Sequence, residues 1–133
     1  MIKHLDHLNL TVADLDASRA WYTALFDFQP VEGGVWRGHR WAILRAGDAL
    51  LCLYEHRELE SPAAATCHHL SHFALRLIEP AAFLDRVASN GVEVKFGGPV
   101  RWPGSTSWYV DDPTGHEIEV VCWDGDTLSF PAA

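Results

Sequence analysis

The sequence contains one short hydrophobic pattern twice. Residues 4–10, HLDHLNL, recur as residues 69–75, HLSHFAL. Apolar and polar residues alternate, most clearly in the first copy, and this period of two is typical of a strand with one buried face. A repeat separated by about 65 residues indicates that one structural unit occurs twice.

A helical pattern follows each copy. In the first, apolar residues recur at a spacing of three or four, and Asp14 or Asp16 can cap the helix. It ends near Asp27, which must adopt the left-handed conformation that glycine adopts more readily. The second helix opens at Pro80, a residue suited to a first turn, and stops at Gly91.

Three strand-like runs follow each helix, and turn residues separate most of them. The predicted runs are residues 29–36, 40–45 and 49–54 in the first half, and residues 92–96, 106–110 and 117–122 in the second. Gly33-Gly34 is expected to mark a bulge in the first run. The predicted fold class is α+β, with two βαβββ modules forming a curved mixed-sheet cup and the helices outside.

The length of 133 residues fits one domain. We expect module 1 at about residues 3–55, a linker at about 56–66, module 2 at about 67–123 and a tail at 124–133. The linker is indicated by its glutamates, a proline and three alanines, and the tail by its weak periodicity.

The formal charge of −8 disfavours nucleic acid as a partner, and no basic stripe fits a membrane surface. The first twenty residues lack an apolar run of signal-peptide length, and no later stretch would span a membrane. Three cysteines without a C-x-x-C pair are typical of reduced thiols. We therefore predict a cytoplasmic protein that acts on a small molecule.

Candidate metal ligands emerge when the two modules are aligned. The repeat places His7 on His72, and matching Gly47 with Gly115 places Leu51 on Glu119. Two imidazoles and one carboxylate on strands that face one cup would leave positions open for substrate. Such a set suits Mn(II), Zn(II), Ni(II), Co(II) or Fe(II). The sequence thus predicts one divalent ion bound by His7, His72 and Glu119.

Three polar residues are candidate catalytic residues. Ser107 and Tyr109 share a face of the strand expected beside Glu119, and Asn9 shares the predicted face of His7. Basic residues that could contact an anion are Lys95, Arg76 and Arg101. Tryptophans are expected to divide between the core and an apolar wall of the cup. His4 and His69 are expected on the opposite face of their strands or at the rim, and His39, His56 and His116 are expected to be solvated.

These motifs resemble the vicinal oxygen chelate superfamily, which includes glyoxalase I, fosfomycin-resistance thiol transferases, extradiol dioxygenases and bleomycin-binding proteins. The resemblance covers about residues 3–123 and is most specific at residues 5–8 (LDHL), 12–15 (VADL) and 112–119 (DPTGHEIE). It implies that His7, His72 and Glu119 bind the metal. It also implies a homodimer, often with metal sites completed across two chains.

Departures from each subclass leave the reaction open. Glyoxalase I has a second metal-bound glutamate where our alignment places Leu51. The fosfomycin transferases have a threonine where Asn9 lies and a phosphonate-binding arginine that the tail lacks. Extradiol dioxygenases have a histidine beside the metal ligands, and Trp102 is the residue of this chain nearest to that position.

We therefore predict a divalent-metal-dependent enzyme of the glyoxalase or fosfomycin-resistance type, a lyase or a transferase. Its substrate would be a small electrophile or oxygen chelator, with a thiol as a possible cosubstrate. The alternatives are an Fe(II) ring-cleaving dioxygenase, acting on catechols, and a non-enzymatic drug-binding resistance protein that uses the aromatic cup. The intact ligand set argues against the last of these.

Overall fold

The chain divides into two compact units, Met1–Pro62 and Ala63–Ala133. The structure, a computed structural model, describes residues 1–60 and 69–125. The first unit contains β1 (Leu8–Val12), α1 (Leu15–Phe26), β2 (Gln29–Trp36), β3 (His39–Ala46) and β4 (Ala49–Glu55). The second contains β5 (Phe73–Arg76), α2 (Pro80–Ser89), a 3-10 turn (Lys95–Gly97), β6 (Val100–Trp102), β7 (Ser105–Asp111) and β8 (Glu117–Trp123).

Each unit builds a four-stranded mixed sheet with the same connectivity. The strand orders are β1-β4-β3-β2 and β5-β8-β7-β6. The first strand of each unit lies parallel to the last one, and the other pairs are antiparallel. The α+β class and the βαβββ modules predicted from the repeat are therefore confirmed.

Local signals set the ends of both helices. Asp14 caps α1, because its Oδ1 accepts a hydrogen bond of 2.9 Å from the Ala17 backbone N–H. Asp27 ends the helix at φ 59°, as predicted. Pro80 opens α2, and Gly91 follows its end at φ 62°. Both helices start and stop where the sequence indicated.

The strand predicted at residues 92–96 was wrong. That segment ends in the 3-10 turn, and the corresponding strand is β6, a few residues later. Phe96 has φ 59°, and Gly97 and Gly98 also have positive φ, so the backbone turns there and cannot continue as a strand. The bulky apolar residues in the run gave it the composition of a strand.

The bulge in β2 also lies elsewhere than predicted. The pairing with β3 shifts between Pro30 and Glu32 rather than at the two glycines. Those glycines permit a close contact instead. A Cβ at Gly33 would lie 3.0 Å from the Trp41 carbonyl oxygen, and one at Gly34 would lie 3.3 Å from the Trp41 indole nitrogen.

The predicted linker and tail fall partly outside the described residues. Residues 61–66 and 126–133 are not described, nor are Cys67 and His68. Residues 56–60, at the start of the predicted linker, form a turn after β4. Within the described part of the chain, no helix is both long and apolar enough to cross a membrane.

Each sheet buries one face against its own helix. In the first unit, α1 packs on β3 and β4, and Leu10, Val12, Leu44 and Leu53 are buried. In the second, the ring of Phe83 on α2 lies 6.2 Å from the ring of Trp108 on β7. In the second unit, Glu119 lies on the face of the sheet opposite Trp108, beside Tyr109 in the ladder.

Replacing Ser18 with alanine is expected to stabilise the protein by about 0.5–1 kcal/mol. Ser18 is fully buried in α1, and its Oγ has no hydrogen-bond partner among the described residues. Alanine removes this desolvated hydroxyl and also has the higher helix propensity. Urea unfolding of both proteins measures the difference. A loss of more than about 1 kcal/mol would instead indicate a hydroxyl that makes a stabilising bond.

Candidate metal centre

The second unit brings two of the predicted ligands into contact. His72 Nε2 lies 3.2 Å from Glu119 Oε2. Glu119 is central in β8, where it faces Ala74 of β5 and Tyr109 of β7 in the ladder. His72 lies one residue before β5, so the expectation that it sits within the strand was wrong. An imidazole nitrogen and a carboxylate oxygen at this distance fit two ligands of one ion.

Two hydroxyl residues of β7 surround the carboxylate. Ser107 is fully buried, and its Oγ donates a hydrogen bond of 2.6 Å to Glu119 Oε1. Tyr109 packs its ring edge-on against the His72 ring, with centroids 5.9 Å apart. Burial and, after it, the charge of Glu119 raise the pKa of Tyr109. The sequence placed both residues beside Glu119, and the structure agrees.

A second glutamate lies beside this pair and was missed from the sequence. Glu117 Oε1 lies 3.7 Å from His72 Nδ1, and its Oε2 accepts a hydrogen bond of 2.6 Å from Lys95. Lys95 also donates to Asp111, and these two carboxylates raise its pKa. The signal was available, since Glu117 and Glu119 alternate around Ile118 and must share one face of β8.

The third predicted ligand belongs to the first unit. His7 lies one residue before β1, so here too the expected strand placement was wrong. Its side chain is 48% exposed, and Asp6 Oδ2 lies 2.7 Å from its Nδ1. This hydrogen bond lowers the pKa of Asp6.

The preceding residue contacts the same ring nitrogen in both modules. Asp6 contacts Nδ1 of His7, and Ser71 Oγ lies 3.4 Å from Nδ1 of His72. Ligating histidines commonly use one nitrogen for such an outer partner and the other for the ion. The repeat therefore leaves Nε2 of each histidine as the nitrogen suited to a metal.

The alignment that placed Leu51 on Glu119 was wrong by one residue. In the parallel ladders, Leu8 faces Leu51 and Phe73 faces Ile118, so Leu51 corresponds to Ile118. Cys52 is then the counterpart of Glu119, and both are partly exposed while their neighbours are buried. Between equivalent ladder pairs, Arg45 with Leu50 and Asp111 with Glu117, the second unit has one residue more in its turn, so Gly47 and Gly115 are not equivalent.

Other residues predicted for the site have different environments. Asn9 is exposed on β1, opposite Cys52 in the ladder. Arg101 is hydrogen-bonded to Asp124 and Thr106, and Arg76 donates to the Gly125 carbonyl. Like Lys95, both of these cations interact with groups of their own unit.

The tryptophans divide between buried and exposed positions. Trp108 is buried, whereas Trp36 and Trp102 are exposed. A separate cleft of about 320 Å³ lies in the first unit beside β2 and includes Arg19 and Trp41. None of the predicted ligands lines this cleft.

Known structures share the fold over nearly the whole chain. A glyoxalase/bleomycin resistance protein/dioxygenase domain from Frankia has a TM-score of 0.82 at 20% identity, covering 96% of each chain. FosX from Mesorhizobium loti, a fosfomycin resistance protein, has a TM-score of 0.69 at 25% identity, covering 96% of this chain and 95% of its own. FosX from Listeria monocytogenes, in complex with Mn(II) and sulfate, has 0.70 at 21% identity, covering 92% and 93%.

No curated protein matches the sequence significantly. A family model, described as the Glyoxalase/Bleomycin resistance protein/Dioxygenase superfamily, matches residues 4–120. That range includes most of both modules and all three predicted ligands. The chain therefore belongs to the Glyoxalase/Bleomycin resistance protein/Dioxygenase superfamily, which is the vicinal oxygen chelate superfamily.

Proposed function

We propose that the protein is a divalent-metal-dependent enzyme whose ion is held by His72, Glu119 and His7. The contact between His72 Nε2 and Glu119 Oε2 at 3.2 Å carries the proposal. His7 is included because it occupies the repeat position of His72 and has the same kind of partner on Nδ1. His7 can come from the same chain or from a second copy in a homodimer.

The donor set fits the proposed ion. Two neutral imidazoles and one carboxylate suit Mn(II), Zn(II), Ni(II), Co(II) and Fe(II), and fewer than four protein ligands leave room for substrate. The ion would supply positive charge that stabilises a substrate oxygen as it becomes negative. FosX of Listeria monocytogenes, which shares the fold, was crystallised with Mn(II), so we use Mn(II) as the first probe.

We propose positioning roles for the two hydroxyl residues. Ser107 is buried and donates to Glu119, so it holds the carboxylate rather than touching substrate. Tyr109 has the raised pKa described above, keeps its proton at neutral pH and orients the His72 ring by edge contact. Asn9 is exposed and is the proposed substrate contact among the three predicted residues.

The proposed reaction class is attack on a small electrophile that has oxygen donors. In an epoxide, for example, water or a thiol would attack carbon, the carbon–oxygen bond would break, and the oxygen would take up a proton. The relation to fosfomycin resistance proteins at up to 25% identity supports an electrophile of this kind. The proposed class includes reactions in which a thiol is the cosubstrate, and also a lyase reaction of the glyoxalase type.

Turnover by the full chain after Mn(II) loading tests the reaction class. The substrates are fosfomycin with water or with glutathione, methylglyoxal with glutathione, and catechol with dioxygen under Fe(II). Consumption of either electrophile, lost in His72→Ala, supports the proposal. Cleavage of catechol alone would assign the protein to the ring-cleaving dioxygenases. Metal-free binding of aromatic drugs that survives His72→Ala would instead indicate a binding protein.

Replacing Ser107 with alanine is expected to weaken metal binding by about 10- to 100-fold. The substitution removes the donor that holds Glu119 Oε1 and leaves the carboxylate free to rotate. Equilibrium dialysis with Mn(II) measures the change, and thermal unfolding of the metal-free protein is the companion measurement. A lower melting temperature with unchanged Mn(II) affinity would indicate a purely structural hydroxyl.

A further inference from the structure

The first unit contains another group of metal-binding side chains, remote in sequence from the predicted ligands. His39, His56 and Glu58 each offer one ligand atom, and these atoms all lie within 4.8 Å of one another. The imidazole rings stack at a centroid distance of 3.9 Å with 30° between their planes. His56 Nδ1 lies 3.2 Å from Glu58 Oε1. Both histidines were expected to be solvated, but each is only partly exposed.

The backbone holds the two histidines in fixed positions. His39 opens β3 directly after a tight turn, in which Arg37 and Gly38 have φ 50° and 85°. The β3–β4 ladder is paired as far as Trp41 and Tyr54, and His39 and His56 lie two residues beyond this last pair. The His56 N–H donates to the Val12 carbonyl at 2.8 Å. These side chains therefore project from the end of a ladder, where a site can be preorganised.

The hydrogen bond of His39 determines which ring nitrogen is available. Its Nδ1 lies 3.1 Å from the Glu55 carbonyl oxygen, which can only accept, so Nδ1 carries the proton. The lone pair of the neutral ring is then on Nε2. A histidine that donates one N–H to a backbone carbonyl and has its other nitrogen free has the usual arrangement of a metal ligand.

The neighbouring charges leave the glutamate free to bind a cation. Arg57 lies next to Glu58 in sequence, but its Nε makes an ion pair of 3.2 Å with Glu55 Oε1. Glu58 is 64% exposed, so an ion can reach its carboxylate without rearrangement of the core. Among residues 1–60 and 69–125, the basic side chain in contact with the Glu58 carboxylate is the imidazole of His56, a fellow member of the cluster.

We propose that His39, His56 and Glu58 form a second metal site, which takes a transition-metal dication such as Zn(II), Ni(II) or Cu(II). Two imidazoles favour these ions over Mg(II) and Ca(II), which prefer oxygen ligands. The site shares no ligand with the catalytic centre proposed above. A bound ion would join the end of the β3–β4 ladder to the turn that follows β4, and would stabilise the folded unit by mass action.

Zinc stoichiometry in full-length variants tests the proposal. Equilibrium dialysis of Zn(II) compares the wild type with His56→Ala, His72→Ala and the double variant. We expect His56→Ala to bind one ion fewer than the wild type, and the double variant to bind one fewer than His72→Ala. If His72→Ala binds as many ions as the wild type while His56→Ala loses one, the second site stands and the proposed catalytic centre fails.

Two further measurements exclude misfolding and random surface binding. Glu58→Gln changes only an exposed side chain, and because it removes a direct ligand it is expected to weaken zinc binding at this site by more than about 100-fold. In long-range ¹H–¹⁵N spectra, Nε2 of His39 should shift on zinc addition, whereas exposed His69 should not. The proposal is overturned if His56→Ala, folded by circular dichroism, and Glu58→Gln both retain the wild-type zinc stoichiometry and affinity.

Discussion

Glu119→Gln is expected to lower Mn(II) affinity by more than about 100-fold and to abolish metal-dependent turnover. Glutamine keeps the shape of the side chain and can still accept the hydrogen bond from Ser107, so the fold should persist. It cannot provide the negative charge that a dication requires of its carboxylate ligand. Removing a direct ligand should cost more than the 10- to 100-fold typical of outer partners.

Mn(II) dialysis measures the affinity, turnover of the substrates named above measures the activity, and thermal unfolding of the metal-free protein checks that the fold persists. The matched control is His69→Ala, because His69 is exposed and its Nδ1 donates to the adjacent Leu70 carbonyl. That variant should keep its Mn(II) affinity. Unchanged affinity in Glu119→Gln would exclude Glu119 as a ligand, and with it the proposed centre.

Glutamate substitutions at two adjacent positions of β4 are expected to have very different effects on the stability of the protein. Leu51 is 1% exposed in the core of the first unit, so Leu51→Glu should destabilise the protein by about 4 kcal/mol or more. Cys52 is partly exposed on the opposite face, as Glu119 is in β8, and Cys52→Glu should stay within about 1 kcal/mol of the wild type.

Urea unfolding of the two variants measures the difference. Leu51→Ala separates the loss of packing from the burial of charge, and it should lie between them at about 2–4 kcal/mol. If Leu51→Glu were stable and Cys52→Glu unfolded, Leu51 rather than Cys52 would lie on the face that matches Glu119. The alignment of Gly47 with Gly115 would then be correct. The comparison therefore tests the register directly, and it does not depend on metal binding.

Much of the fold could be predicted from the sequence because its signals are local. Asp14 and Pro80 act on the first turn of their own helices, and Asp27 and Gly91 end them. The duplicated HLxH pattern required no knowledge of distant contacts. The strand at residues 92–96 failed because the left-handed conformation of Phe96 is imposed by its surroundings, and a phenylalanine gives no sign of it.

The candidate site was predicted less completely because it depends on pairing between strands. Ser107 and Tyr109 could be placed beside Glu119 from alternation alone. The position in β4 that matches Glu119 could not be predicted, because it depends on the register of β4 against β1. Gly47, the glycine used to align the two halves, is displaced because the two turns differ in length. The approach of His39 to His56 likewise depends on the β3–β4 ladder, which composition does not reveal.

The extra residue in the turn before β8 has a consequence for how such a chain can evolve. A one-residue slip within a ladder would exchange the two faces of a strand, whereas a longer turn leaves every facing unchanged. Duplicated halves can therefore accumulate insertions between strands while each strand position keeps its side of the sheet. The two halves can then have different side chains at one matched position, a thiol at Cys52 and a carboxylate at Glu119, while the fold of each half stays the same.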